Sequence, residues 1–554
     1  MKGISLISAV VPRLVVSAML IAGLLTVTNA QSESPSDLIK AGKAADQANN
    51  FAESVASFER AIALDPHNTE AHLGLYSTKN RQIIRSFMPS DGQPMPEGGM
   101  DKLQEGMRAF EKEQTAKYQE LEKRFPDKAA YKLLLSRLSI YDPVKSLGYL
   151  EAANTAEPSN LEVLTAIAQF ESSRGNSQKA GEYYTRILTQ RPDDKLVNLL
   201  YLLSLKEYDK AKFKRLTLEF VDRNAPDRTA MQALSILIYD TADSAEAITY
   251  YQKLRKLFPP EKPDGAINQL TGLFAIYNQT DPAKALELAE ELVKIAPSES
   301  AKKTWQSYAD YQSAINQATA LTKDGKFEDA LSALAKAKAP RYFDNTSTYQ
   351  LAKAEAQDYL GRTSDAYDEL SKFYVENPRR NVRSRLEILG KKIGKSKEQV
   401  EKDVQSLVVA NSKPFKDFSL TRFDTGKKVS LADFRGKVVF LSFWYPLCGP
   451  CHQEAPFLQK LTEKYGKDGF VILAVNGHPK EDSLVMPYFE KTKHNFIPLQ
   501  VPDEEFVKRE YGTEAYPTNY LIDKKGRMLF NIGVVYQTVL EEVEQKIEIA
   551  LAQR

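Results

Sequence analysis

Cysteine is nearly absent from this sequence: 554 residues contain only Cys448 and Cys451. No other thiol exists for a structural cross-link, so the fold must hold by packing alone. Tryptophan is equally scarce, with two residues, and histidine numbers five. Neither charge sign dominates, Lys plus Arg totalling 75 against Asp plus Glu 73, which removes the strongly basic face of a nucleic-acid binder and excludes nucleic acid as an expected partner. His67, His72, His478 and His494 are scattered without ligand spacing, and His452 beside two cysteines makes an incomplete zinc site, so no metal is predicted. Gly426-Lys427-Lys428 lacks the upstream glycine spacing of a phosphate-binding loop. Long apolar runs are missing as well, except at the start.

There, Lys2 and Arg13 precede an uncharged, largely apolar run from Leu14 to Val27, and Thr28-Asn29-Ala30 supplies small residues for cleavage. Residues 1–30 read as a secretory signal peptide, because the run is shorter than the ~20 residues that span a bilayer. The expected location is periplasmic or extracellular, with no stable membrane span once the signal is removed and a membrane anchor only if it is not. No cysteine follows it to accept a lipid. In an oxidising compartment free thiols persist only if they cycle, and a close pair can cycle within one chain.

Between Ser36 and Leu407 strand-like alternation is almost absent, while small residues, aromatics and prolines recur at the spacing of paired helices. The clearest unit runs from Leu161 to Asp194, with Ala168, Gly175, Ala180, Tyr184, Ile187 and Pro192 in the small, turn, small, aromatic, apolar and stop positions of a helix–turn–helix. Weaker copies centre on Phe58, Ala153, Tyr251, Leu292, Phe327 and Ala366. The pattern resembles the tetratricopeptide repeat, which implies an all-α helical-hairpin solenoid over 31–390 and a protein partner on its concave surface. Met88 to Met100, rich in Pro and Gly, interrupts it and reads as a surface loop, with a Met-lined binding lip as the other reading. Lys-rich sequence over 391–412 suggests a linker. From 413 to 554 the pattern becomes strands and helices, with strands expected at Lys437–Trp444, Phe470–Val475, Phe496–Val501, Asn519–Ile522 and Met528–Ile532, and a last helix at Gln537–Leu551.

Val438 to Trp444 is a buried-strand pattern running through Tyr445-Pro446-Leu447 into Cys448-Gly449-Pro450-Cys451, which opens a helix. Cysteines at that spacing can bond without backbone movement, and the helix N-terminus favours a thiolate, lowering such a pKa from ~8.5 to ~3.5–7.5. Ala455-Pro456 in the following helix and Tyr516-Pro517-Thr518 before a strand complete a resemblance to the thioredoxin fold. The hairpin around Thr425 to Val439 narrows it to the exported TlpA-like branch. The resemblance implies an α/β thioredoxin-like domain acting as a thiol–disulfide oxidoreductase on protein disulfides, more readily as a reductase, fed by an upstream electron donor. No cofactor is implied beyond a reversible Cys448–Cys451 disulfide. Cys448 would be the exposed nucleophile and Cys451 the resolving thiol. Pro517 would be a cis-proline presenting the Tyr516 backbone to substrate, with Trp444, Gly449 and Pro450 alongside. Two departures stand out: Leu447 replaces the usual tryptophan, and Ser442 stands where thioredoxins place a buried aspartate. Glu454, matching an acidic residue of the TlpA-like branch, would take the proton of Cys451.

Other readings compete. Cys448-Gly449-Pro450-Cys451-His452 also fits covalent c-type haem attachment, though a haem domain would be mainly helical. A peroxiredoxin-type peroxidase would need proline and threonine or serine where Leu441 and Tyr445 stand. His452 would add positive charge near the thiolate, or be an ordinary helix residue. In a different class, the repeats would be a scaffold or adaptor and the redox domain an accessory.

Overall fold

The computed structural model describes residues 33–553 apart from 88–98, 140–141, 341–342, 344–345 and 537–538. The signal-peptide reading of 1–30 and most of the Met88–Met100 segment lie outside the described residues. Two compact units divide the chain, one up to Glu113 and one from Gln114, the division falling within helix Gly99–Arg124.

In the first unit, helices Pro35–Gln47, Phe51–Leu64 and Thr69–Phe87 form a hairpin and its neighbour. Phe58 is the aromatic between them. A Cβ on Gly42 would meet its ring at 3.0 Å and one on Gly74 at 2.3 Å, so the absent side chains are what let the helices close around it.

The second unit begins with helices up to Asn411 and ends in one sheet. Leu161–Ser173 and Ser177–Gln190 are the hairpin expected from the clearest repeat, turning at Gly175 with φ +68°. Lys195–Tyr208 with Lys210–Asn224 and Arg228–Asp240 with Ser244–Leu257 are the two hairpins between Pro192 and Pro259, of which the repeat pattern marked only the second, around Tyr251. The 161–190 hairpin has its own apolar cluster of Leu164, Ala168, Ala180, Tyr184 and Ile187 with Val197, and a larger one from Leu199 to Ala356 packs the hairpins that follow.

The expected linker is corrected by the structure. Residues 397–411 form helix Lys397–Asn411, opened by a capping box in which the Ser396 hydroxyl accepts from Gln399 N–H. Val400, Val404 and Val408, one turn apart on a single face, are buried in a cluster shared with Phe530, Val543 and Ile547 of the following domain. Hydrogen bonds cross the same junction from Tyr374 to Gln545 (3.2 Å) and from Gln405 to the Ile549 carbonyl (2.8 Å). Solenoid and sheet domain thus share a core here.

Eight strands follow: β1 Lys413–Pro414, β2 Ser419–Arg422, β3 Lys428–Ser430, β4 Val438–Trp444, β5 Phe470–Asn476, β6 Ile497–Gln500, β7 Thr518–Ile522 and β8 Arg527–Ile532. Their order is β1-β8-β7-β4-β5-β6-β2-β3, with β4, β5 and β6 parallel and the remaining pairs antiparallel. Every residue of β4 is buried, as a central strand covered on both faces demands. Helix Gly449–Tyr465 springs from its end, and Asp482–Thr492 and Leu540–Ala552 complete the layers.

Candidate active site

At the C-terminal end of β4 the chain leaves the sheet through Tyr445-Pro446-Leu447 and enters helix Gly449–Tyr465 at Cys448, its N-cap. Cys448 and Cys451 are joined as a disulfide with Cα atoms 5.3 Å apart. Cys448 Sγ accepts from Cys451 N–H at 3.2 Å, so the sulfur sits where the first turn leaves backbone donors unpaired. Such donors and the helix dipole stabilise negative charge on that sulfur when the bond opens.

Exposure departs from expectation. Cys448 is 1% exposed and Cys451 4%, so the outer sulfur is not the open one the sequence suggested. Both lie in an aromatic cluster with Trp444, Tyr488 and Phe489, against which Tyr445 and Tyr516 pack. Gly449 and Pro450 remain exposed. Trp444, expected to face substrate, is buried at 6% between Tyr488 (centroids 5.0 Å) and Phe489 (5.6 Å); as a β4 side chain it belongs to the core.

Tyr516-Pro517 is a cis peptide. The β4–β7 ladder ends with Phe443 opposite Thr518, so one further step brings Trp444 to the level of Pro517 and Tyr445 to that of Tyr516. The Tyr516 ring meets Tyr445 edge-on at 5.3 Å and lies over Gly477, where a Cβ would stand 2.3 Å from the phenol oxygen. Glycine at 477 is therefore a requirement of this aromatic wall.

Glu454 lies one turn beyond Cys451, 1% exposed. Burial pushes its carboxyl up to about 7, against the opposing pull of hydrogen bonds from Val535 N–H (3.0 Å) and Asn519 Nδ2 (3.0 Å). A cavity of about 20 Å³, room for roughly one water, is lined by Glu454, Cys451 and Ser442 together with apolar neighbours. The carboxyl and the inner sulfur thus open on the same small space, and Ser442 leaves the position beneath the cysteines without a carboxylate.

Two residues to which the sequence assigned no role stand beside the active-site loop. Glu481, 5% exposed, accepts a 2.8 Å hydrogen bond from Leu447 N–H and so fixes the loop one residue before Cys448; burial raises its carboxyl to about 6. His478 packs against Tyr445 with ring centroids 4.3 Å apart and the planes tilted by 47°. No local pattern distinguishes either residue, since both act through tertiary contact. His452 is the reverse case: its Nε2 meets the Pro446 carbonyl at 2.6 Å, and burial lowers its pKa, so it stands as a neutral ring bracing the loop rather than as the added positive charge considered from sequence.

Residues 410–547 match the redoxin family and residues 39–75 the tetratricopeptide repeat. The chain is 36% identical over 123 residues to the thiol-disulfide oxidoreductase ResA of Bacillus thuringiensis subsp. konkukian, covering 22% of this chain and 70% of the relative. It is 37% identical over 134 residues to the thioredoxin-like protein YneN of Bacillus subtilis, covering 24% and 76%. Among solved structures, a thiol:disulfide interchange protein from Bacteroides sp. is similar at 26% identity, with 25% of this chain and 90% of that one covered and a TM-score of 0.22.

Proposed function

The chain belongs to the redoxin family of thiol-disulfide oxidoreductases, and from that premise we propose that it reduces disulfides of proteins outside the cytoplasm, while its helical repeats hold a protein partner. The observation that carries the redox reading is the Cys448–Cys451 disulfide at a helix N-terminus, with the Glu454 carboxyl sharing a cavity with Cys451.

In the reducing direction the cycle starts from the dithiol. Cys448 thiolate attacks one sulfur of a substrate disulfide, and the other substrate sulfur leaves as a thiolate that takes a proton from water. Glu454 accepts the proton of Cys451. The Cys451 sulfur then attacks Cys448 Sγ, re-forming the intramolecular disulfide and releasing the second substrate thiol. One substrate disulfide gains two electrons and the protein dithiol loses two, so an upstream dithiol donor must restore the enzyme. No other cofactor enters the cycle. The Tyr516 backbone next to cis-Pro517 is offered as the edge on which the substrate strand lies.

Glu454 has to be ionised to act as the acceptor. With its carboxyl at about 7, the resolving step should accelerate as pH rises through that value. Insulin-disulfide reduction by the full chain tests the activity: Cys448→Ser should abolish it, and Glu454→Gln should slow turnover and erase the rise through neutral pH. The reduction potential against glutathione tests the direction. A value near those of strong oxidants, about −120 mV, would reverse it.

A further inference from the structure

The helical repeats reach the active-site loop itself. The turn Ser173-Arg174, between helices Leu161–Ser173 and Ser177–Gln190, borders a small cleft with Pro446, Leu447, Leu484 and Tyr488. Lys491, at the end of helix Asp482–Thr492, donates to the Arg174 carbonyl at 3.2 Å. Beside this contact opens a cavity of about 500 Å³, a size at which binding pockets for drug-sized molecules are found (~300–1,000 Å³). Its apolar wall comes from Leu150, Ala166 and Phe170 on the repeats and from Leu447 and Leu484 on the redox domain. Arg137 and Arg174 stand among its polar lining, the guanidinium of Arg174 over the Phe170 ring at 5.4 Å.

Leu447 is both a wall of this cavity and the residue before Cys448. A substrate residue one or two positions from a cysteine that reaches Cys448, at ~3.3–3.8 Å of chain each, would fall in reach of this wall. Glu481 holds Leu447 in place through its N–H. The repeats supply most of the wall, so recognition here depends on a part of the chain outside residues 410–547, which match the redoxin family.

We propose that this cavity is a substrate subsite: it takes a bulky apolar side chain carried within two residues of the reacting cysteine of a disulfide-bonded polypeptide, with an acidic neighbour drawn by Arg174. The subsite rests on the thiol–disulfide reading above and names the substrate class for it. An apolar residue gains by leaving water for the Leu150, Phe170 and Leu484 wall, a gain that a small polar residue forgoes. The leucine at 447 then has a function: it forms part of a seat shared between two domains.

The test uses the pre-reduced full chain and second-order rate constants for its oxidation by three disulfides. These are 2-hydroxyethyl disulfide and two peptide disulfides identical except for Phe-Glu or Ser-Lys beside the cysteine. The Phe-Glu peptide should react at least about tenfold faster than the Ser-Lys peptide, the scale at which pocket contacts discriminate. Ala166→Trp, which fills the cavity from the repeat side, should abolish that preference and leave the small disulfide's rate unchanged. Phe170→Ser should reduce the preference in the same sense and serves if the tryptophan variant does not fold. Equal rates for the two peptides, or a preference that survives both substitutions, would overturn the subsite. A wild-type chain inert toward 2-hydroxyethyl disulfide would overturn the redox reading beneath it.

Discussion

The helices of the second unit meet the redox domain in two places, and the two are built differently. At the rear, Val400, Val404 and Val408 enter a common core with Phe530, Val543 and Ile547, reinforced by the Arg379–Glu542 ion pair at 3.3 Å. At the front, beside Cys448, the turn at Ser173-Arg174 borders a cleft with Pro446 and Leu447 and accepts a hydrogen bond from Lys491, and a cavity of about 500 Å³ is left open. A sealed apolar junction stabilises a fixed arrangement, whereas an open one leaves room for a ligand. The difference separates structure from recognition within one chain.

Substitutions at the two places should therefore have unequal consequences. Val404→Asp at the rear should cost the most, about 3–5 kcal/mol, because it buries a charge with no partner in the shared core. Thermal unfolding followed by far-UV circular dichroism would show one lowered transition; a small shift would mean that the rear junction is not a common core.

Glu454→Gln comes next. Its folded-state carboxyl is raised from 4.5 to about 7, so between those values the folded chain holds a proton that the unfolded chain has released. This group's contribution to stability is then intact below about pH 4.5, falls as pH rises through about 7 and levels off above, a loss of about 3 kcal/mol at full ionisation. Denaturant midpoints of the oxidised chain at pH 4.5 and pH 8 would show that loss in the wild type and its absence in the variant.

Glu481→Ala removes the acceptor of Leu447 N–H and should cost about 1–3 kcal/mol. It should also slow the peptide disulfides more than 2-hydroxyethyl disulfide, since the loop that carries Leu447 is freed. Lys491→Met, at the exposed front contact, should change stability by less than about 1 kcal/mol. Hydrogen exchange should nonetheless speed up in residues 173–176; an equal loss of stability at front and rear would erase the distinction.

Much of the redox domain could be read in advance because its signals are local. The run Val438–Trp444 is apolar at every position except Ser442, and a strand covered on both faces needs no alternation to be recognised. Cys448, Cys451 and Pro517 announce themselves by spacing. The helix Lys397–Asn411 was hidden because Lys391, Lys392, Lys395 and Lys397 gave the stretch leading into it a linker-like composition, and the valine stripe at four-residue intervals is narrow. Burial of Cys448 could not be read, because it arises from Tyr445, Tyr488 and Tyr516, which come from three separate elements. Glu481 is one of 73 acidic residues, and only the folded loop shows what its carboxylate holds.

The division of labour between the two sulfurs is most directly tested by trapping. The full chain carrying Cys451→Ser, reduced and then mixed with a disulfide-bonded protein, should accumulate a mixed disulfide that mass spectrometry places on Cys448. The chain carrying Cys448→Ser should form none. An adduct of equal yield through Cys451 in the second variant, or normal turnover by the first, would contradict the assignment of Cys448 as nucleophile and Cys451 as the thiol that resolves.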